Sequence, residues 1–144
     1  MPIRPDNMGL YPGGSIHSPE WKAIRQEILQ RALNQCEKCR APNNRLIARG
    51  QGQHANTYML ERGETFDADT GEYLGMSRSS EYCFGRMVQV VLTIAHLDHD
   101  PTNNAPSNLK ALCQLHHNRL DAKHRASSRR RNDNMDLFLD AVTA

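Results

Sequence analysis

The strongest apolar block in the chain is residues 88–94, VQVVLTI, rich in β-branched side chains and with His96 just past its end. That density predicts a strand. A polar stretch of Asp, Asn and Pro follows, which is turn chemistry, and Asn108 closes it. A second apolar segment begins at Leu109 and runs to Cys113, His116 and His117, at the mouth of a predicted helix. Upstream, Trp21, Ile24, Ile28 or Leu29, and Ala32 recur at helical spacing. Ser18 as N-cap, Pro19 at the first position and Glu20 in the first turn start that helix, and Leu33 ends it. Its apolar stripe reads as core, with Lys22, Arg25, Gln26 and Arg31 on the wet side.

The remaining segments carry weaker patterns. Residues 1–18, with three prolines and the Gly13–Gly14 pair, read as a flexible arm. Tyr58–Met59–Leu60 and Glu72–Tyr73–Leu74 flank a turn signal at residues 67–71, which predicts a hairpin. Asp67, Asp69 and Gly71 lack the spacing and terminal Glu of a calcium loop and read as a plain turn. Cys83 reads as a buried thiol. Residues 132–144 read as a short amphipathic helix docked on the core or on a partner.

Composition narrows the picture. A chain of 144 residues with 38% apolar content favours one small domain whose core is supplemented by some other staple. No stretch approaches a membrane span, and the first twenty residues lack the apolar run of a signal peptide. A cytosolic, reducing setting follows as the expectation, in which close cysteines are metal ligands before they are disulfides. Cys36 and Cys39 are separated by two residues, and so are Cys113 and His116. Together these four form a Cys3His set suited to tetrahedral zinc, tying the first helix to the end of the 88–121 stretch. A redox role for the Cys36–Cys39 pair is less favoured, because no thioredoxin-like pattern surrounds it.

A strand, a loop and a helix can bring His96, Asn108 and His117 to one point. Phosphodiester hydrolysis needs such a set: an imidazole to take a proton, a second to ligate a metal, and an amide to hold a ring or loop in place. The net charge of +2 argues little by itself. Its distribution argues more, because Arg119, Lys123, Arg125 and Arg129 to Arg131 crowd one segment against Asp121 alone. A basic helix beside a phosphate site suits nucleic-acid backbone contact.

On these residues the chain resembles the HNH endonucleases, the ββα-metal nucleases that carry a zinc knuckle. His96-Leu97-Asp98-His99-Asp100 resembles the family's first-His segment, Asn108-Leu109 its central Asn, and residues 112–117 its LCxxCH, with His116 in place of the second cysteine. Cys36 and Cys39 resemble its upstream pair. The resemblance implies an α+β domain built on a ββα-metal finger with structural zinc. It would span residues 19–131, with a variable insertion at about 45–85. It implies His96 as a surface-facing general base, Asn108 as the orienting residue and His117 as a ligand of a catalytic divalent metal. That metal would be Mg²⁺ or Mn²⁺, with Ni²⁺ or Zn²⁺ also compatible. Many members place an Asp before the first His, where this chain has Ala95, so Asp98, His99 or Asp121 is expected to supply the missing ligand.

The implied activity is cleavage or nicking of double-stranded DNA, leaving a 5′-phosphate and a 3′-hydroxyl. The implied setting is the cytoplasm of a bacterial host, since small stand-alone forms occur in phages and prophages. Such forms often work with the packaging terminase as partner. The alternative from another class is a zinc-stabilised nucleic-acid-binding module without catalysis, which Ala95 favours. A purely structural zinc protein comes third.

The basic segment generates a first prediction. Its arginines have no spacing tied to base readout, so replacing Arg129, Arg130 and Arg131 with Ala should weaken duplex binding equally for all sequences. The slope of affinity against salt should flatten. A changed sequence preference in a binding titration would show instead that these residues read bases.

Overall fold

A computed structural model describes the backbone of residues 5–83 and 85–143 and the side chains of residues 7–83 and 85–130. Ser18 accepts a hydrogen bond from Trp21 N at 3.1 Å, which caps helix α2 (Pro19–Arg31), after the single-turn helix α1 (Pro5–Met8). Such a cap is worth about 1 kcal/mol. Helix α2 stops at Arg31, short of Leu33, because Leu33 and Asn34 adopt left-handed backbone at φ 56° and 57°. The Asn34 amide returns to the Leu29 carbonyl at 2.8 Å and turns the chain towards Cys36. Trp21 and Ile28 are buried, and Ile24, Leu29 and Ala32 pack beside them, as the stripe predicts.

Strands β1 (Leu46–Arg49), β2 (Thr57–Leu60), β3 (Glu64–Asp67), β4 (Tyr73–Met76) and β5 (Arg86–Gln89) form an antiparallel sheet in the order β4-β3-β2-β1-β5. Strands β6 (Thr93–His96) and β7 (Leu109–Leu112) form a separate antiparallel hairpin, and helix α3 (Gln114–Thr143) follows it. The main core lies where α2, the hairpin and one face of the larger sheet meet. Ile47, Tyr58, Val90, Leu92, Ile94, Leu109 and Leu112 are all buried there. The domain is therefore α+β, and among the described residues no helix is long and apolar enough to cross a membrane.

Several expectations need correction. The apolar run at 88–94 is two strands in two sheets. The chain leaves the large sheet after Gln89, and three links hold it through the crossing. Val90 exchanges backbone bonds with Asn44 and Arg45, Leu92 N donates to Asn43 Oδ1, and Val91 N donates to Gln114 Oε1. The strands read as one hairpin, around residues 58–60 and 72–74, are not neighbours, because β3 lies between them. That strand reads Glu-Thr-Phe-Asp, too polar to announce itself, yet Phe66 stacks on Tyr58 at 5.4 Å. The segment expected as an insertion thus supplies most of the larger sheet and places Ile47 and Tyr58 in the core.

The segment read as a flexible arm is docked in its second half, where Tyr11 and Ile16 pack on the core. Arg31, placed on the wet side, reaches the carbonyls of Pro106 and Leu109 at 2.8 and 2.6 Å and pairs with Glu37. Cys83 is exposed, since the preceding turn buries Tyr82 in its stead. The backbone of residues 132–143 continues α3, and the expected docking of their side chains lies outside the described residues.

The turn between β3 and β4 shows how tightly the sheet seats on the Cys36–Cys39 loop. Asp67 Oδ1 accepts from the amides of Asp69 and Thr70, which shapes the turn. Gly71 has φ +76°, and a Cβ there would lie 2.8 Å from the Cys39 carbonyl oxygen. Gly71→Ala should therefore destabilise the metal-bound protein by about 1–3 kcal/mol. A urea titration would read this as a lowered midpoint; an unchanged midpoint would mean the contact is easily relaxed.

Candidate metal centre and adjoining groove

The four residues paired by spacing meet in space. One ligand atom from each of Cys36, Cys39, Cys113 and His116 lies within 4.8 Å of the others, and the three cysteines are buried free thiols. Cys39 Sγ stands 3.7 Å from Cys113 Sγ. His116 Nδ1 lies 3.3 Å from Cys113 Sγ and 3.9 Å from Cys36 Sγ. Thiolates held about 2.3 Å from one tetrahedral zinc would stand about 3.7 Å apart, so the cluster could hold such a metal with little adjustment.

Local structure explains the convergence. The loop from Cys36 to Cys39 is closed by the Arg40 amide on the Cys36 carbonyl at 2.8 Å, with Arg40 at φ 62°. Glu37 N donates to the Ala111 carbonyl at 2.9 Å, setting the loop against β7, whose next turn of chain delivers Cys113. Tyr58 Oη donates to the Cys39 carbonyl at 2.5 Å from the sheet side.

The charge of the cluster fits a cation. Crowded thiols cannot all ionise alone. Cys36 is driven well below the usual thiol range by hydrogen bonds from Cys113 and Cys39, and Cys39 well above it because it keeps its proton for its neighbours. Cys113 and Cys36 raise His116 to about 9. Arg49 points Nη2 at Cys113 Sγ from 3.8 Å, and its buried Nη1 has no hydrogen-bond partner among the described residues. A guanidinium left so poorly paired suits a neighbour of net negative charge, which three thiolates around one divalent ion would be.

The loop between β6 and β7 is organised by Asn108 and Asp98. Asn108 Nδ2 donates to Asp98 Oδ1 at 2.8 Å and to the Asn103 carbonyl at 2.9 Å, and its Oδ1 accepts from Asp98 N at 3.2 Å. Asn103 Nδ2 donates to Asp98 Oδ2 at 2.8 Å. Donors from Asn103, the Asp100 amide and Asn108 lower the Asp98 carboxyl to about 2. Asn108 thus holds the loop and does not touch the His96 ring.

That ring is held by Asn104, whose Oδ1 lies 2.9 Å from His96 Nε2. Asn104 Nδ2 donates to the Pro101 carbonyl, so its Oδ1 is the acceptor and Nε2 carries the proton. In the neutral ring, Nδ1 then carries the lone pair. The expectation of a surface-facing ring needs correction, because His96 is only 8% exposed. It stacks on Trp21 at 5.4 Å and meets the edge of Tyr11 at 5.6 Å.

His116 and His117 are consecutive, and a helix turns about 100° per residue, so they serve different faces of α3. His116 enters the thiol cluster. His117 lines a groove of about 900 Å³ between α2 and α3, shared with His96, His99 and Asp121. Asp121, four residues on from His117, is buried. Its Oδ2 lies 3.6 Å from His117 Nδ1 and its Oδ1 lies 3.3 Å from His99 Nε2. Burial pushes the His117 pKa below its ordinary 6.5, and Asp121 only partly opposes this, so the ring is neutral and able to ligate near pH 7. Arg25, Arg125 and Arg129 also line the groove.

Three groups were expected as candidates for the ligand missing at Ala95. His99 and Asp121 stand together beside His117, whereas Asp98 is engaged by its own loop. Sequence reasoning missed Tyr11, Trp21 and Asn104 as neighbours of His96, and Arg49 as neighbour of the thiols. A Trp in an apolar stripe and an Arg at a strand end carry no separate signal. Compared with protein-family models, curated proteins and solved structures, the chain finds no match.

Metal binding at the cluster requires ionised thiols and a neutral His116, whose proton is held up to a pH of about 9 in the metal-free state. Binding at pH 7 should therefore release protons, and affinity should fall as pH falls. Calorimetry in buffers of different ionisation enthalpy would measure the release. Cys36→Ser should lose the metal and lower the melting temperature. A protein purified without metal, or unchanged melting in that variant, would sink the assignment.

Proposed function

We propose that the protein is a metal-dependent DNA endonuclease or nickase of the HNH type. The observation that carries this reading is one groove that brings His96, His117 and Asp121 together beside Arg25, Arg125 and Arg129. The hairpin β6–β7 followed by α3, with the Cys3His cluster at their junction, supports a ββα-metal finger.

In this reading the arginines hold the phosphate backbone of duplex DNA in the groove. His96 Nδ1 takes a proton from the attacking water, with Asn104 keeping the other nitrogen protonated. The water oxygen bonds to phosphorus as the bond from phosphorus to the 3′ oxygen breaks, and solvent protonates the leaving oxygen. A divalent metal at His117, when bound, would stabilise charge on the phosphate and leaving oxygen. Trp21 and Tyr11 fix the plane of the base, which limits the conformations the imidazole must lose. The small phage and prophage nucleases that the sequence resembles make a packaging terminase the proposed protein partner and the bacterial cytoplasm the proposed setting.

A specific feature favours the alternative of a binding module without catalysis. Ala95 offers no ligand, and His96 is packed between two aromatic rings. The two readings separate in a plasmid-nicking assay with Mg²⁺, Mn²⁺ or Ni²⁺. Nicking by the wild type is expected. His96→Ala would remove both the base and a stacking partner, so His96→Phe is the cleaner variant. It should keep the melting temperature and lose cleavage by on the order of 10² to 10⁴. Wild-type nicking by His96→Phe would show that another group is the base. Salt-dependent duplex binding by a wild type that never nicks would establish the alternative.

A further inference from the structure

We infer that the free edge of strand β4 is a self-association surface. A second copy of this chain pairs antiparallel with it about a twofold axis at Gly75, joining the two large sheets into one. The inference goes beyond the nuclease reading and does not depend on it.

The edge itself carries the first part of the argument. Strand β4 ends the sheet order β4-β3-β2-β1-β5, so one side of its backbone has no strand beside it among the described residues. On its paired side, Met76 stands opposite Glu64, Gly75 opposite Thr65 and Tyr73 opposite Phe66, which leaves Leu74 as the extra residue of a bulge without a β3 partner. Tyr73, Leu74 and Met76 are 54%, 49% and 64% exposed, and among the described residues no other strand leaves three large apolar side chains in water. Edge strands that stay unpaired are commonly blunted by a charge or a proline, and Tyr-Leu-Gly-Met has neither. The opposite edge differs: Gln114 Nε2 donates to the Gln89 carbonyl at 2.8 Å, so the start of α3 covers the end of β5.

Charge selects the occupant. Glu72 and Arg78 are the charged residues of the segment 72–78, one on each side of the strand. Both are exposed, and neither forms an ion pair among the described residues. Antiparallel pairing about an axis at Gly75 sets Glu72 opposite Arg78 of the second copy, and Arg78 opposite its Glu72. The same register sets Leu74 against Met76 in both directions and Gly75 against itself. A Cβ at Gly75 would meet nothing within its own chain, so the space at the axis is open to the second backbone. Moving the axis by one residue either way breaks both charge pairs. The edge is therefore complementary to itself, as an isologous interface requires, and the joined sheet supplies main-chain hydrogen bonds. Pairing of four-residue strands covers little area, so the dimer belongs to the weak class, with dissociation in the micromolar range.

The test is sedimentation equilibrium of the full-length chain over roughly 1 to 500 µM, which brackets that class. The wild type should pass from monomer to dimer across the series. Met76→Lys should weaken the dimer by about tenfold or more, because it places a charge on the pairing edge. Glu72→Arg and Arg78→Glu should each do the same, since each turns both cross-copy pairs into like charges. Combining E72R with R78E exchanges the charges and should return the dissociation constant to within about threefold of wild type. That recovery also separates lost pairing from misfolding, which a second charge reversal would not repair. A wild type that stays monomeric throughout the series would overturn the second copy as occupant. A dimer that Met76→Lys and Glu72→Arg leave intact would overturn the edge. Weakening by both single reversals without recovery in the combined variant would overturn the register at Gly75.

Discussion

The fold depends on the meeting of Cys36, Cys39, Cys113 and His116. Hydrophobic burial supplies the driving force, but the apolar content is modest for 144 residues and the core is spread over α2, two separate sheets and the start of α3. The cluster joins these parts at one point: the loop after α2, the end of β7 and the first turn of α3. A metal bound there adds folding free energy in proportion to its affinity, because the unfolded chain has no such site. The surrounding contacts bear on the same point. Tyr58 and Gly71 seat the large sheet on the Cys39 carbonyl, and Arg49 brings a guanidinium to the sulfur side.

The groove inherits its geometry from that junction. The first turn of α3 directs His116 inward, so the rotation of the helix about its own axis is set, and with it the direction of His117 and Asp121. The hairpin is held at its other end by Arg31, which bonds the carbonyls of Pro106 and Leu109 from α2. His96 sits between these constraints, at the end of β6, with its ring plane set by Trp21 of α2 and its tautomer by Asn104. Chemistry in such a groove would rely on preorganisation: few of its parts can shift without disturbing packing elsewhere.

What could be read from sequence follows from the range of each signal. The Cys3His grouping was legible because ligand chemistry is restrictive and the two matching spacings point at each other. The start of α2 was legible because its cap is local. The Asn108 loop was legible as turn chemistry, though its target, Asp98 and not the histidine ring, depends on side-chain directions that only the closed loop reveals. The division of residues 88–96 between two sheets was not legible, because strand propensity is equally high on both sides of the crossing. Its cause lies in Asn43, Asn44, Arg45 and Gln114, which are distant in sequence. Strand β3 was missed because its pairing partners, and not its composition, make it a strand. The packing of Tyr11 on His96 was hidden in a segment whose prolines and glycines suggested no order.

The crossing at Val90, Val91 and Leu92 has a further consequence. Both sheets are antiparallel and each has its register set by its own partners, so the short bridge acts as a gear of fixed tooth count between them. Strand side chains alternate with period two. The number of residues between β5 and β6 must therefore fit both the span and the alternation that the two registers impose, His96 pairing with Leu109 in the hairpin. One residue more or fewer would have to bulge out of the bridge or slip the β6–β7 register, and a one-residue slip would turn the imidazole from Trp21 and the groove to the opposite side. The larger sheet, which contributes no residue to the histidine and aspartate cluster, thus helps to hold its phase.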